Sequence, residues 1–325
     1  MDRQNHQALR AGIAAILFAL ILRFRGTGLP VKITETLANI PCSEYFSDTE
    51  TGRYVRVSPY TEVFSPWFAE SPPPVIPPAT EVPLPSFSDP GEIELYYGSN
   101  VDPDLDSLFA RPLQWDLRGE EPTVLILSTH STESYTQAGE PYVETSPWRT
   151  LDEHYNMLSI GDRVESVLTE AGIGVVRDRE VHDYPSYNGS YVHARKRLAE
   201  LLEAYPSVRL VLDLHRDAAG DDHRQMRTRA TVKGKDSAQL MIVLGTNHDG
   251  YEDNLSLGLK LHALLQTQYP GIMRPLQLRA QRFNQDLTPG ALLVEVGAAG
   301  NTHPEALAAA EALAEAVVAL AAGSA

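Results

Sequence analysis

Short apolar runs alternate with stretches of helical periodicity from residue 122 to the end of the chain. The runs are rich in Val, Ile and Leu, as strands buried on both faces are, and the stretches between them repeat apolar residues every three to four positions. This alternation predicts an α/β fold in which a mainly parallel sheet is covered by helices on both faces. The predicted strands are residues 124–128, 174–177, 208–214, 240–244 and 291–296, and the predicted helices are residues 154–171, 192–205, 254–269 and 302–321.

Two regions of different character precede this domain. Residues 11–22 form an apolar run between Arg10 and Arg23, shorter than the roughly 20 residues that span a bilayer, which suits a signal anchor over residues 1–30. Residues 71–90 contain eight prolines and can build neither a helix nor a ladder. We therefore predict an extended region over residues 31–119, with residues 71–90 as a tether. A proline-rich ligand for a partner domain is the alternative interpretation of that tether.

This organisation predicts a location for the remaining domain, residues 120–325. A single-pass anchor would hold the protein at the cell membrane, with the domain outside the cytoplasm.

Charge and cysteine content exclude several kinds of site. The 43 acidic residues outnumber the 27 basic ones and give a net charge of −16, so no nucleic-acid partner is expected. A single cysteine cannot form an intrachain disulfide or a multi-cysteine metal site. Any bound metal would therefore need histidine and carboxylate ligands.

Two histidines follow or end predicted strands, where ligands collect in open α/β sheets. His130 comes two residues after the strand of residues 124–128, and His215 ends the run of residues 211–215. Glu133 stands three residues after His130, a spacing that directs two side chains of a turn toward one cation. Two imidazoles and a carboxylate are a catalytic zinc set, although each histidine could instead be structural.

The last predicted strand carries a carboxylate within an apolar run. An unpaired buried carboxylate is costly, so Glu295 is either a general base beside a metal-bound water or the partner of a structural arginine. Asp213 shares a strand face with His215 and could orient that imidazole or cap a loop. Arg216 and Arg282 are candidates to stabilise an oxyanion, with salt bridges as the alternative role.

Six motifs occur in the same order as in a known family. The chain resembles the stage II sporulation protein P family in STHSTESY at 128–135, HDYPSYNGSY at 182–191, VLDLHRD at 211–217, RFNQ at 282–285, LTPGALLVEVG at 287–297 and GNT at 300–302.

The resemblance implies a zinc-dependent peptidoglycan hydrolase with a fold like that of zinc carboxypeptidases and cell-wall amidases. Its activity would be that of an N-acetylmuramoyl-L-alanine amidase, with cleavage of peptide crosslinks in the same site. His130 and His215 would be zinc ligands and Glu295 the catalytic carboxylate. Glu133 is the favoured third ligand, and the alternatives are Asp152, Glu153 and His154.

Peptidoglycan is the expected partner, together with wall-remodelling proteins such as a lytic transglycosylase. Two other functions remain open at this point. One is a metallocarboxypeptidase that acts on soluble peptides, which would need a cationic clamp for a terminal carboxylate. The other is a non-catalytic scaffold that binds the wall.

Overall fold

The computed structural model describes residues 46–47, 54–55, 93–113, 116–119, 121–139, 141–220 and 224–322. The chain divides into two units, residues 1–71 and residues 72–325. In the first unit, β1 (Phe46–Ser47) and β2 (Tyr54–Val55) pair antiparallel. The predicted anchor and proline-rich tether lie outside the described residues. Within the ranges given, no helix has both the length and the apolar content to cross a membrane.

The second unit is an α/β sheet with helices. Its strands are β3 (Leu95–Gly98), β4 (Val124–Leu127), β5 (Val175–Arg177), β6 (Leu210–Asp217), β7 (Ala230–Val232), β8 (Lys235–Ser237), β9 (Leu240–Gly245), β10 (Leu276–Arg279) and β11 (Ala291–Ala298). Its helices are α1 (Leu105–Ala110), α2 (Met157–Glu170), α3 (Ser190–Ala204), α4 (Tyr251–Gln268) and α5 (His303–Ala322), and Gln285–Leu287 forms a 3-10 turn. Every predicted strand and helix is present within three residues of its predicted bounds.

The main sheet has the strand order β3-β10-β9-β11-β6-β4-β5. All neighbours run parallel except β9 and β11, which are antiparallel. β7 and β8 form a separate hairpin, whose turn places Lys233 and Gly234 at positive φ as a tight two-residue turn requires. The predicted fold class, a mainly parallel sheet covered on both faces, is confirmed.

The sheet begins earlier than the predicted domain start at residue 120. β3 is its edge strand and pairs in parallel with β10, while α1 buries Leu108 against α4. The sequence did not predict β3 because an edge strand needs no apolar alternation, and Tyr96 and Tyr97 are both about half exposed. Residues 95–110 therefore belong to the α/β unit, not to the extended region predicted over 31–119.

The two faces of the sheet are covered unequally. One face packs against α2, α4 and α5, and its core includes Ile126, Leu212 and Val294. The other face is covered by α3, whose Leu198 joins a smaller core around Leu125. Because side chains alternate along a strand, residues 213 and 215 of β6 and residue 295 of β11 belong to this second face.

Gly290 fixes where β11 begins beside β6. Its carbonyl accepts the N–H of Val211 at 2.9 Å. A Cβ atom at this position would lie 1.8 Å from the carbonyl oxygen of Arg209, so only glycine permits this approach of the two backbones. The register that follows places Glu295 directly opposite His215.

Candidate active site

Three of the predicted site residues come from neighbouring strands or the loop after one. His130 follows β4, His215 is near the end of β6, and Glu295 lies in β11. The strand order β11-β6-β4 brings these carboxyl ends together. On the other side of Glu295, antiparallel β9 places Met241 opposite it, so the carboxylate has an imidazole on one flank and a thioether on the other.

The two imidazoles are in contact. Their ring centroids lie 5.2 Å apart and the planes meet at 89°. Nδ1 of His215 is 3.8 Å from Oε2 of Glu133. Nδ1 of His130 and Oε2 of Glu295 are buried and have no hydrogen-bond partner within the described part of the chain. Buried polar atoms are rarely left in this state, so both atoms suit a bound group.

Asp213 links β4 to β6 beneath the imidazoles. Its carboxylate accepts hydrogen bonds from the backbone N–H of Thr129 at 2.8 Å and from the Thr129 hydroxyl at 2.6 Å. Oδ1 of Asp213 also lies 3.1 Å from Nε2 of His215, as a close ion pair rather than an aligned hydrogen bond. Both roles left open for Asp213 are therefore combined, since it holds the loop and lies against the imidazole.

The site carries opposed pKa shifts. Burial, and then the charge of His215, lower the pKa of His130. For His215 itself, burial disfavours protonation, but the charges of Asp213, Glu133 and Glu295 outweigh it and raise the pKa to about 9. Burial and the charge of Asp217 raise the pKa of Glu295 to about 8. At neutral pH the imidazole of His130 is thus neutral and that of His215 is protonated.

Glu133 is buried and held by two arginines. Its Oε2 accepts the backbone N–H of Arg216 at 3.1 Å, and its Oε1 accepts from Nη2 of Arg149 at 3.3 Å. The Arg216 guanidinium donates to the carbonyls of Ser134 and Trp148, and its Nη1 is 3.7 Å from Glu133. Arg216 is therefore part of the frame around Glu133, and two of its guanidinium donors are already bonded to backbone carbonyls.

Two tyrosines of the 182–191 motif cover the imidazoles. The Tyr187 ring stacks on His130 with centroids 4.4 Å apart, and Tyr191 stacks on His215 with centroids 6.2 Å apart. The guanidinium carbon of Arg149 lies 4.6 Å from the centre of the Tyr187 ring. Both tyrosines belong to a motif that carries the family resemblance, and the structure places them against the two histidines.

Asp183 anchors the tyrosine segment to the loop after β4. It accepts from the backbone N–H and hydroxyl of Thr132, from the hydroxyl of Ser131, and from Nη1 of Arg149 at 2.8 Å. Sequence reasoning gave no role to Asp183 or Arg149. Asp183 lay within a quoted motif, whereas Arg149 lies in a loop with no pattern that would distinguish it.

The remaining predicted residues are partly or largely exposed. Arg282 is about a third exposed, and its Nη1 is 3.8 Å from Asp286. The three alternative ligands are solvent-exposed: Asp152 pairs with His154 at 3.0 Å, and Glu153 pairs with Arg179 at 2.7 Å. Of the four carboxylate or histidine alternatives, Glu133 is the one beside His215.

The donor chemistry of the site fits a zinc ion. Two imidazoles with a neighbouring carboxylate are the nitrogen and oxygen donors that catalytic zinc takes, and the unpaired Nδ1 of His130 would gain a partner. As the side chains stand, no three His, Cys, Asp or Glu groups within the described ranges are arranged to hold one ion. Glu133, whose Oε2 lies 3.8 Å from Nδ1 of His215, is the candidate for the third donor.

The sequence of this chain matches one known protein family over most of its length. A family model described as stage II sporulation protein P (SpoIIP) matches residues 87–318. The chain belongs to the stage II sporulation protein P family. The SpoIIP of Bacillus subtilis (strain 168) is 30% identical over 208 residues, which are 61% of this chain and 50% of that protein. The SpoIIP-family chain thus spans about half the length of the curated relative it matches, and the predicted family is confirmed.

Two solved amidase structures are similar to this SpoIIP-family chain. The N-acetylmuramoyl-L-alanine amidase AmiC2 of Nostoc punctiforme has 16% identity and a TM-score of 0.37, and the match covers 63% of this chain and 97% of AmiC2. The N-acetylmuramyl-L-alanine amidase Ami1 of Mycobacterium smegmatis has 14% identity and a TM-score of 0.38, with 64% and 98% covered. The strand order and directions described above, not these superpositions, establish the fold class.

Proposed function

We propose that the chain is a zinc-dependent peptidoglycan hydrolase that cleaves the amide between N-acetylmuramic acid and the L-alanine of the stem peptide. The observation that carries the proposal is the position of Glu295 opposite His215 in neighbouring strands, with His130 in contact with His215. A carboxylate beside a pair of imidazoles is the arrangement that metal-assisted amide hydrolysis needs. Membership of the SpoIIP family supports the same substrate.

His130, His215 and Glu133 would hold the ion. When bound, zinc supplies a Lewis acid that polarises the amide carbonyl and makes water a stronger acid. Asp213 keeps the His215 ring in place through the contact at Nε2. A nearby cation would also lower the pKa of Glu295 from about 8, which favours the ionised form that can act as a base.

Glu295 would move the proton of the reaction. Its Oε2 accepts a proton from the attacking water as the water oxygen adds to the amide carbon. The same oxygen returns the proton to the amide nitrogen as the carbon–nitrogen bond breaks, so the products are a free lactyl carboxylate and the amine of L-alanine. Arg216 and Arg282 both stay candidates for stabilising the oxyanion, and two donors of the Arg216 guanidinium are already bonded to backbone carbonyls.

The same site would also cleave peptide crosslinks. A signal anchor over residues 1–30 would attach the protein to the membrane, with the catalytic unit outside the cytoplasm. The expected partners are the peptidoglycan itself and wall-remodelling enzymes such as a lytic transglycosylase.

Digestion of purified sacculi tests the function. The full chain is incubated with sacculi, with and without a chelator, beside Glu295→Gln, and the released products are identified by mass spectrometry. Glu200→Gln, an exposed glutamate of α3, is the matched control. We expect stem peptides with a free L-alanine amine, a fall of about 10²- to 10⁴-fold in Glu295→Gln, and no change in the control. Release of C-terminal amino acids alone would establish a carboxypeptidase, and binding without release would establish a scaffold.

A further inference from the structure

Arg274 extends across the end of β11 that carries Glu295. Its backbone N–H donates to the carbonyl of Leu240 in β9 at 2.8 Å, and its Nη1 lies 2.8 Å from Oδ2 of Asp217 in β6. β11 is the strand between β9 and β6. The partners of Leu240 and Asp217 in β11 are the residues one and three positions after Glu295. The Arg274 side chain therefore passes the active-site end of β11 just beyond Glu295.

β11 is irregular where this side chain crosses it. Its register with β6 shifts between Glu295 and Ala298, and Gly297 within that shift has a φ of +74°. Such bulges bend a strand and redirect side chains, and they are common next to active sites. At about 3.3 Å per residue, the crossing lies about 3–10 Å from Glu295 along the strand. This separation is on the scale of one substrate residue.

The Arg274 guanidinium has donors to spare for a ligand. Its ion pair with Asp217 joins Nη1 to one carboxylate oxygen, without the alignment of a hydrogen bond. Within the part of the chain that the structure describes, the guanidinium has no other ion pair and no hydrogen bond, and the side chain is 20% exposed. Arginine carries five N–H donors in a planar fork, two of which can hold a carboxylate at once. Asp217 would therefore fix the fork at the rim and leave donors for a second carboxylate.

The charge of Arg274 is opposite to that of its surroundings and of the chain as a whole. The protein has a net charge of −16, which opposes the approach of an acidic ligand wherever no cation is at hand. Glu295 and Asp217 are themselves carboxylates, so an acidic group that entered beside them without a cation would be repelled. Arg274 supplies that cation on the β9 side of Glu295.

The proposed substrate carries a carboxylate at a matching distance. The second residue of a stem peptide is a glutamate that is linked through its γ-carboxyl group, so its α-carboxyl group is free unless it is amidated. In an extended chain, that group lies about 5–7 Å from the scissile nitrogen, one residue beyond the L-alanine. This distance falls within the separation between Glu295 and the crossing point of Arg274.

We propose that Arg274 is a specificity-determining residue that binds the free α-carboxylate of the second stem-peptide residue while the scissile amide lies at Glu295. A guanidinium can donate two parallel hydrogen bonds to a carboxylate, whereas an amide at the same position offers one acceptor oxygen and no charge. This proposal rests on peptidoglycan as the substrate and adds that the enzyme selects free-acid stem peptides over amidated ones.

Binding of a matched pair of ligands tests this role independently of hydrolysis. The probes are two synthetic N-acetylmuramoyl tripeptides that differ only in whether the α-carboxyl group of the second residue is free or amidated. Each is titrated calorimetrically into the full chain carrying Glu295→Gln, which leaves the scissile amide intact. Arg274→Gln and Arg274→Lys are added separately to that chain. Arg163→Gln, which breaks an ion pair with Glu311 between α2 and α5, is the matched control.

We expect the Glu295→Gln chain to bind the acid form at least about tenfold more tightly than the amide form, as a charge-assisted hydrogen bond would give. Arg274→Gln should bring the two Kd values together, and Arg163→Gln should retain the full preference. Arg274→Lys keeps the charge but not the fork, so it should retain part of the preference. The amide form should bind all four chains alike, which verifies that each is folded.

Equal Kd values for the two ligands, as a clamp for the C-terminal carboxylate alone would give, would overturn the role of Arg274. A preference that survives in Arg274→Gln, or no binding of either ligand at millimolar concentration, would overturn it as well. Should Arg274→Gln bind neither form, Arg274→Lys decides, and an undiminished preference there would count against the role. An Arg274-dependent preference in a protein that releases no product from sacculi would refute the hydrolase and leave the carboxylate site standing.

Discussion

The imidazoles of His130 and His215 meet edge to face, with ring centroids 5.2 Å apart. They come from the ends of adjacent parallel strands, and each is covered by a tyrosine of the same downstream motif. Had these rings faced separate pockets, no shared ion could be proposed for them. Their contact makes zinc binding the first property to measure.

Removal of either imidazole should abolish tight zinc binding. We expect His130→Ala and His215→Ala to lower zinc affinity more than about 100-fold, since loss of a direct ligand costs at least as much as loss of the residue that supports it. His154→Ala is the matched control because that side chain is 89% exposed. Metal content after dialysis against limiting zinc gives the measurement. Equal zinc content in all four proteins would exclude this site.

Zinc binding should release protons at neutral pH. A ligand histidine must be neutral, whereas the pKa of His215 in the metal-free protein is raised to about 9. Loss of that proton, together with partial loss from Glu295, should give a release of about one to two protons per ion at pH 7. Apparent affinity should therefore increase as the pH rises toward 9.

Calorimetry in two buffers of different ionisation enthalpy measures the proton count directly. His154→Ala, which changes an exposed side chain, should release the same number of protons as wild type. A heat of binding that is identical in both buffers would mean that His215 is already neutral, against the expectation from its three neighbouring carboxylates.

Arg149 should stabilise the site through its three contacts. Its guanidinium bonds to Asp183 and Glu133 and lies over the Tyr187 ring. Arg149→Gln leaves two buried carboxylates with fewer donors, so we expect the free energy of unfolding to fall by about 1–3 kcal/mol in urea titrations. Arg118→Gln, which breaks an exposed pair with Asp116, should leave the free energy of unfolding nearly unchanged. Equal losses in the two variants would contradict the special role of Arg149.

Lys260 should give a pH-dependent contribution to stability. It is fully buried, its Nζ donates to the carbonyl of Leu108 and the hydroxyl of Ser256, and burial lowers its pKa to about 8. In the unfolded chain a lysine has a pKa of about 10.4, so between these values the unfolded state binds a proton that the folded state has lost.

The free energy of unfolding of wild type should therefore rise relative to Lys260→Met as the pH increases from 8 to 10. The exposed Lys196 provides the control variant, Lys196→Met, which should show no such trend. Urea titrations at three pH values give the comparison, and a difference that stays constant with pH would mean that Lys260 remains charged throughout.

Strands and helices with strong periodicity were predictable from the sequence because burial on both faces leaves long apolar runs. β3 and β10 were not, because they are short and lie at or next to the sheet edge, where exposed Tyr96 and Tyr97 conceal the pattern. The direction of β3, β10 and β9, which run opposite to the other four strands of the main sheet, also escaped prediction, since an apolar run does not indicate strand direction.

The clustering of His130, His215 and Glu295 at one edge of the sheet was predictable, because polar groups at the ends of apolar runs are costly and therefore conspicuous. The arginine frame was not. Arg149 reaches Glu133 from a loop, and Arg216 was interpreted as an oxyanion donor although its side chain bonds to carbonyls of that loop. Which partner a buried arginine takes depends on tertiary contacts between distant segments, and these leave no periodic signal in the sequence.

The placement of Glu295 opposite His215 depends on Gly290, a residue without a functional group, because β11 and β6 approach closely there. Any larger residue there would push β11 away from Arg209, and a shift by a single residue would turn Glu295 toward the helices and present a valine to the imidazoles. A substitution at position 290 would therefore be expected to abolish function although every residue of the candidate site is unchanged. A sequence survey that scores only the candidate site residues would count such inactive chains as intact.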